Sequence, residues 1–151
     1  MQKNLNNAAR AERSIELSAT AIWAVLADLE ALAEWAPGID GATVTSELKS
    51  GVGAVRSVST AQFGKIEHHI TDWEKDSLFG YTTDDSGPFL CTNTRYEIAP
   101  NDTGCLVTVV LAFELKPEAM TVEQAQGVLS KGLDATLQAL ELHARIPATQ
   151  A

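Results

Sequence analysis

Three pieces of the chain, Ser18-Ala-Thr-Ala-Ile-Trp-Ala-Val-Leu-Ala-Asp28, Trp35-Ala-Pro-Gly-Ile39 and Gly51-Val-Gly-Ala-Val-Arg56, decide the fold by their order. The first is an amphipathic helix start. Its Ser18 hydroxyl suits an N-cap, since it can accept from an orphan helix N–H, and Ile22, Leu26 and Leu29 recur at helical spacing to form a buried stripe. A second short helix, Glu30 to Trp35, ends where Pro37 and Gly38 forbid continuation. The third piece reads as a strand at 51 to 56. Everything from there to Leu115 is patterned as strands, and one long helix closes the chain.

Turn signals separate those strands at Lys49 to Gly53, Gln62 to Gly64, Glu74 to Ser77, Asp84 to Pro88 and Pro100 to Gly104, which predicts an antiparallel meander. Thr121-Val-Glu-Gln124 is a capping-box signature, and Val122, Ala125, Leu129, Leu133, Leu137, Leu140 and Ala144 follow at three- and four-residue steps. A helix of roughly 24 residues is expected to lie across the sheet. Gly127 and Gly132 interrupt it at about 1 kcal/mol each relative to Ala. Gly132, beside Leu129 and Leu133, reads as a close approach of helix to sheet, or as room for a ligand beneath. On the N-terminal side, Ser14-Ile-Glu-Leu17 alternates as a short strand. Residues 1–10 read as a flexible leader, 11–146 as a single domain and 147–151 as a tail. The fold class is α+β: a curved antiparallel sheet of about seven strands wrapped around the C-terminal helix, enclosing an apolar interior.

Composition narrows the function. A chain of 151 residues is of single-domain size and buries roughly 70% of the surface its unfolded form exposes. Twenty acidic against 11 basic residues give a net charge of -9, a surface that repels phosphate backbones and anionic headgroups, so neither nucleic acid nor membrane insertion is expected. No window approaches the roughly 20 apolar residues of a membrane span, and the first residues lack a signal-peptide core, so a cytoplasmic location is expected. A hairpin through Pro100 to Gly104 with Ile98 opposite Cys105 would leave Cys91 about 23 Å away along the strand, beyond the ~7 Å reach of a disulfide. Both cysteines read as reduced sheet residues.

The order of strand, two short helices, meander and long helix resembles the helix-grip fold of the START/Bet v 1-like (SRPBCC) superfamily, and in particular its polyketide cyclase/dehydrase and lipid transport branch. The residues that carry the resemblance are Ser18, Ile22-Trp23, Asp28-Leu-Glu30, Trp35, Pro37-Gly-Ile39, Gly51 to Arg56 and Thr71-Asp-Trp73, with Gly87-Pro-Phe89, Asn93 and Tyr96-Glu97 similar to a strand of bacterial aromatase/cyclases. The resemblance covers about residues 13 to 145. It implies a hydrophobic cavity between sheet and long helix, filled in different members by lipids, polyketides, hormones or alkaloid precursors. For the aromatase/cyclases it also implies a cavity arginine on the fourth strand and a tyrosine near the second helix, positions held here by His69 and Ile39.

Strand parity proposes which residues line that interior. With Ile98 opposite Cys105, Leu90, Thr92, Thr94 and Tyr96 share a face with Val107, Val109, Leu111 and Phe113, apolar walls carrying a few polar groups. If Ile66 and Ile70 point inward, so does His68, with Phe79, Tyr81 and Thr83 beside it. A register shifted by one would exchange His68 for Glu67 and His69. Burying two isoleucines outweighs burying Glu67 unpaired, which favours His68. Trp35 stands where a lid would be, and Arg56 reads as an outward residue pairing with Glu67 or His69. The candidate ligand-binding set is therefore Trp35, His68, Tyr81, Thr83, Thr92, Thr94, Tyr96, Leu129 and Leu133.

Adjacent strand residues face opposite ways, so His68 and His69 do not converge on one metal, and no metal-binding, phosphate-binding or dinucleotide motif occurs. No cofactor is expected. Two functions fit: a carrier of a small hydrophobic molecule, or a cofactor-independent polyketide cyclase or dehydratase with His68 or His69 as general base and Tyr96 or Tyr81 as proton donor. A third reading is a partner-binding module, because Leu106, Thr108, Val110 and Ala112 make the outer face of the last strand apolar enough for a homodimer or another protein.

Overall fold

The computed structural model describes residues 5–146. Seven strands, β1 (Asn7–Ile15), β2 (Ile39–Val44), β3 (Val55–Thr60), β4 (Gly64–Glu74), β5 (Leu78–Ser86), β6 (Phe89–Asn101) and β7 (Gly104–Leu115), form one antiparallel sheet in the order β1-β7-β6-β5-β4-β3-β2. Helix α1 (Ala19–Ala27), a single 3-10 turn at Leu29–Ala31 and the one-turn α2 (Leu32–Trp35) link β1 to β2. The 23-residue α3 (Val122–Ala144) packs against the concave face. This is the helix-grip arrangement.

The local signals act where they stand. Ser18 Oγ accepts from Ala21 N at 3.1 Å and caps α1, whose Ile22, Trp23 and Leu26 are buried. The capping box of α3 is closed in both directions, Thr121 N to Gln124 Oε1 at 3.0 Å and Gln124 N to Thr121 Oγ1 at 3.1 Å. Leu133, Leu137 and Leu140 press onto Ile98, Cys105, Val107 and Val109 to form the main core. A smaller cluster of Phe89, Phe113 and Ala125 closes the other end. Cys91, in β6, and Cys105, in β7, are both buried.

Five expectations need correction. First, β1 begins at Asn7, so residues 7–10 are strand rather than leader; Ala9 and Ala11 supply the inward face of an edge strand too poor in large apolar residues to stand out. The leader's first four residues and the tail 147–151 lie outside the described residues. Second, residues 51–54 are not strand: Gly51 and Gly53 have φ of 84° and 100°, which only a turn uses, and β3 starts at Val55. Third, the β6–β7 hairpin turns on Asp102-Thr103 alone, pairing Pro100 with Cys105 and Ile98 with Val107. That two-residue shift leaves every face unchanged, because parity is preserved. Fourth, a bulge between Phe89 and Cys91 turns Leu90 outward to 39% exposure. Fifth, Gly132 is exposed, and a Cβ built there meets nothing within 4 Å. It neither brings the helix close to the sheet nor makes room beneath it.

Candidate functional site

The sheet's inner face is set by alternation. Ala54, which precedes β3, and Arg56 and Val58 within it are 0–1% exposed, while Ser57 and Ser59 lie on the other parity. Register then places Arg56 opposite His68, and His69 opposite Thr82. His68 is thus inward, 7% exposed. His69 is on the other face beside Glu67, Nε2 to Oε1 3.6 Å. Arg56, expected outside, is among the most deeply buried side chains of the protein. The missed signal was its neighbours: the apolar pair at 54 and 58 outweighs the usual preference of one arginine for water, and it carries residue 56 inward with them.

Arg56 has no carboxylate partner among the described residues. Its Nη1 donates to Leu29 O at 3.2 Å, its Nη2 lies 2.8 Å from His68 Nδ1, and its Nε finds no partner. The guanidinium also sits 5.5 Å from the Tyr81 ring centroid and 5.9 Å from that of Phe79. Since arginine can only donate, His68 Nδ1 must accept, which fixes the remaining imidazole proton on Nε2. The His68 ring stacks on Tyr81, centroids 4.0 Å apart and planes 10° apart. Burial first, and then the Arg56 charge, hold His68 well below its ordinary pKa. Burial likewise raises Tyr81 and Tyr96, with Arg56 pulling in the opposite direction on both. Histidine and both phenols are therefore neutral, and Arg56 alone is charged.

These groups end at a cleft between α1, α2 and the sheet, lined by Val25, Leu26, Asp28, Leu32, Trp35, Arg56, Phe79, Tyr81 and Tyr96. Its free volume is about 10 Å³, room for about one water molecule. Trp35 Nε1 is a second buried donor without a partner on the same wall. The cleft lies at the α1–α2 corner and not under α3, where Leu137 and Leu140 are wholly buried and fill the space.

Of the sequence-derived candidates, Trp35, Tyr81 and Tyr96 line this cleft and His68 braces it. Thr94 bonds Tyr81. Thr83 and Thr92 satisfy each other, Oγ1 to Oγ1 2.6 Å, away from the cleft. Leu133 belongs to the main core, and Leu129 packs against both apolar clusters. No group of three or more His, Cys, Asp or Glu able to hold a metal occurs among the described residues.

The family model for polyketide cyclase / dehydrase and lipid transport matches residues 8–144. The chain belongs to this family. Solved structures agree with the fold: a START superfamily protein from Mycobacterium smegmatis (17% identity, TM-score 0.79, 92% of this chain and 97% of that one), and the Zhui aromatase/cyclase from Streptomyces sp. R1128 (16%, 0.76, 94% and 96%). A third is a solution structure from Thermobifida fusca (20%, 0.75, 91% and 92%). At such identities the likeness is one of fold. A search of curated proteins finds no match. For members of this family the fold is a ligand-binding one, and in this chain the buried polar cluster of that fold is built around an arginine on β3, with His69 of β4 outside it.

Proposed function

We propose that the protein binds a small, largely apolar molecule in the cleft at the α1–α2 corner, with the ligand's polar end against Arg56. The observation that carries this reading is the pair of buried donors without partners, Arg56 Nε and Trp35 Nε1, on the wall of one apolar cleft. Leaving such groups unsatisfied costs about 1–3 kcal/mol each, more for a charged one. A hydrogen-bond acceptor carried in by a ligand removes that cost. With room for only about one water, admission requires the Trp35 side chain or α2 to move aside, which a single turn of helix ending at Pro37 permits.

The chemistry favours a carrier over a cyclase with a histidine base. A general base needs a free lone pair facing the substrate. His68 spends its lone pair on Arg56, and His69 faces the other side of the sheet. The test is native mass spectrometry of protein purified from its own host, repeated on Leu26→Trp, which fills the cleft. A small molecule that accompanies the wild type and is lost from the variant supports the proposal. An apolar molecule retained equally by both places binding elsewhere.

A further inference from the structure

Resting on the reading of the cleft as a ligand site, we infer that its ligand is an apolar acid, a molecule whose carboxylate or comparable anion docks on Arg56 while its hydrocarbon part lies against Leu26, Leu32 and Trp35. The argument is one of charge. Arg56 is 1% exposed and meets no carboxylate among the described residues. An ion buried without a counter-ion carries a desolvation cost of several kcal/mol, which two hydrogen bonds and two aromatic faces offset only in part. A neutral carbonyl would satisfy the free N–H and leave the charge. A carboxylate does both, and the guanidinium fork matches its two oxygens.

The surroundings reject other ligand types. The two buried polar atoms without partners on this wall are both donors, Arg56 Nε and Trp35 Nε1; the Tyr81 and Tyr96 hydroxyls beside them are held neutral by burial, and the one basic nitrogen nearby, His68 Nδ1, already accepts from Arg56. A cationic amine would find no counter-charge inside. Asp28 lies on the cleft but is exposed and makes no ion pair with Arg56, so it is a rim group and not the missing counter-ion. The contrast with the exterior is pointed: a chain of net charge -9 keeps one unbalanced cation in its apolar interior.

The experiment compares matched pairs, benzoate, 2-naphthoate and decanoate, each against its own carboxamide. Binding to the full chain is read by ligand-observed NMR and by tryptophan fluorescence. At least one acid binding tenfold or more tighter than its amide, with the preference lost in Arg56→Met and partly kept in Arg56→Lys, is the expected result. Amides that bind as tightly as their acids overturn the inference and leave the cleft reading standing. Failure of every acid and amide to bind overturns both. If Arg56→Met does not fold, the acid-to-amide ratio on the wild type decides alone.

Discussion

Because arginine only donates, the bond from Arg56 to His68 Nδ1 exists only while that nitrogen is unprotonated. The consequence for stability has a definite sign. His68 is neutral in the fold, held below its ordinary pKa by burial, by Arg56 and then by His69, with the Tyr81 phenol stacked on it. In the unfolded chain it titrates near 6.5. Its contribution is complete above about pH 6.5 and is lost as pH falls below that value toward the lowered folded pKa. Denaturant unfolding at pH 6.5 and 5.5 should show the wild type losing about 1 kcal/mol more than His68→Gln over that unit. Equal losses would mean that His68 is already charged in the native protein. At this scale the sequence was half legible. Ile70 beside His68 gave the direction of His68, because hydrophobic parity is local. Arg56 was misread because a lone arginine is normally solvated, and only its position between Ala54 and Val58 says otherwise.

Elements were legible wherever a backbone requirement has its own residue. Ser18, Pro37 and the Thr121–Gln124 pair each mark a terminus through side-chain hydrogen bonds or a forbidden dihedral, and all three termini stand where those residues predict. The N-terminal part of β1, residues 7–13, escaped notice because its inward positions include small alanines, whose burial gives little periodic signal. Two glycines make opposite predictions. Gly132 lies in mid-helix with open space around it, so Gly132→Ala should stabilise the protein by about 1 kcal/mol, seen as a higher Tm. Gly104 sits where β7 begins against the end of β1, and a Cβ there would collide with the Ile15 carbonyl oxygen. Its φ of 158° is also one that L side chains rarely adopt, so backbone strain adds to the crowding. Gly104→Ala should cost about 3 kcal/mol, and a Tm unchanged by it would show that β1 and β7 separate freely.

Across the whole molecule, the long helix is fastened to the edge strand by charge as well as by packing. Glu141 accepts from Arg13 Nε at 2.6 Å and from Arg145 Nε at 3.1 Å. Those two hydrogen bonds, Arg145 first, hold its carboxyl below the usual range. The stabilisation is present above the ordinary glutamate pKa, about 4.3, and is lost on further acidification, so Glu141→Gln should lower the Tm by a few degrees at pH 7 and by less at pH 3.5. The sheet order has a further consequence, for biosynthesis. Of this sheet's strands β1 leaves the ribosome before the others, yet its partner is β7, Ile15 opposite Cys105. For most of translation β1 therefore has no neighbour, and α3, which covers it, is made later still. Closing the sheet is a long-range event that slows folding and belongs to its end. The alanine-faced, charge-studded sequence of β1 is of the kind that disfavours edge-to-edge pairing of an unpartnered strand.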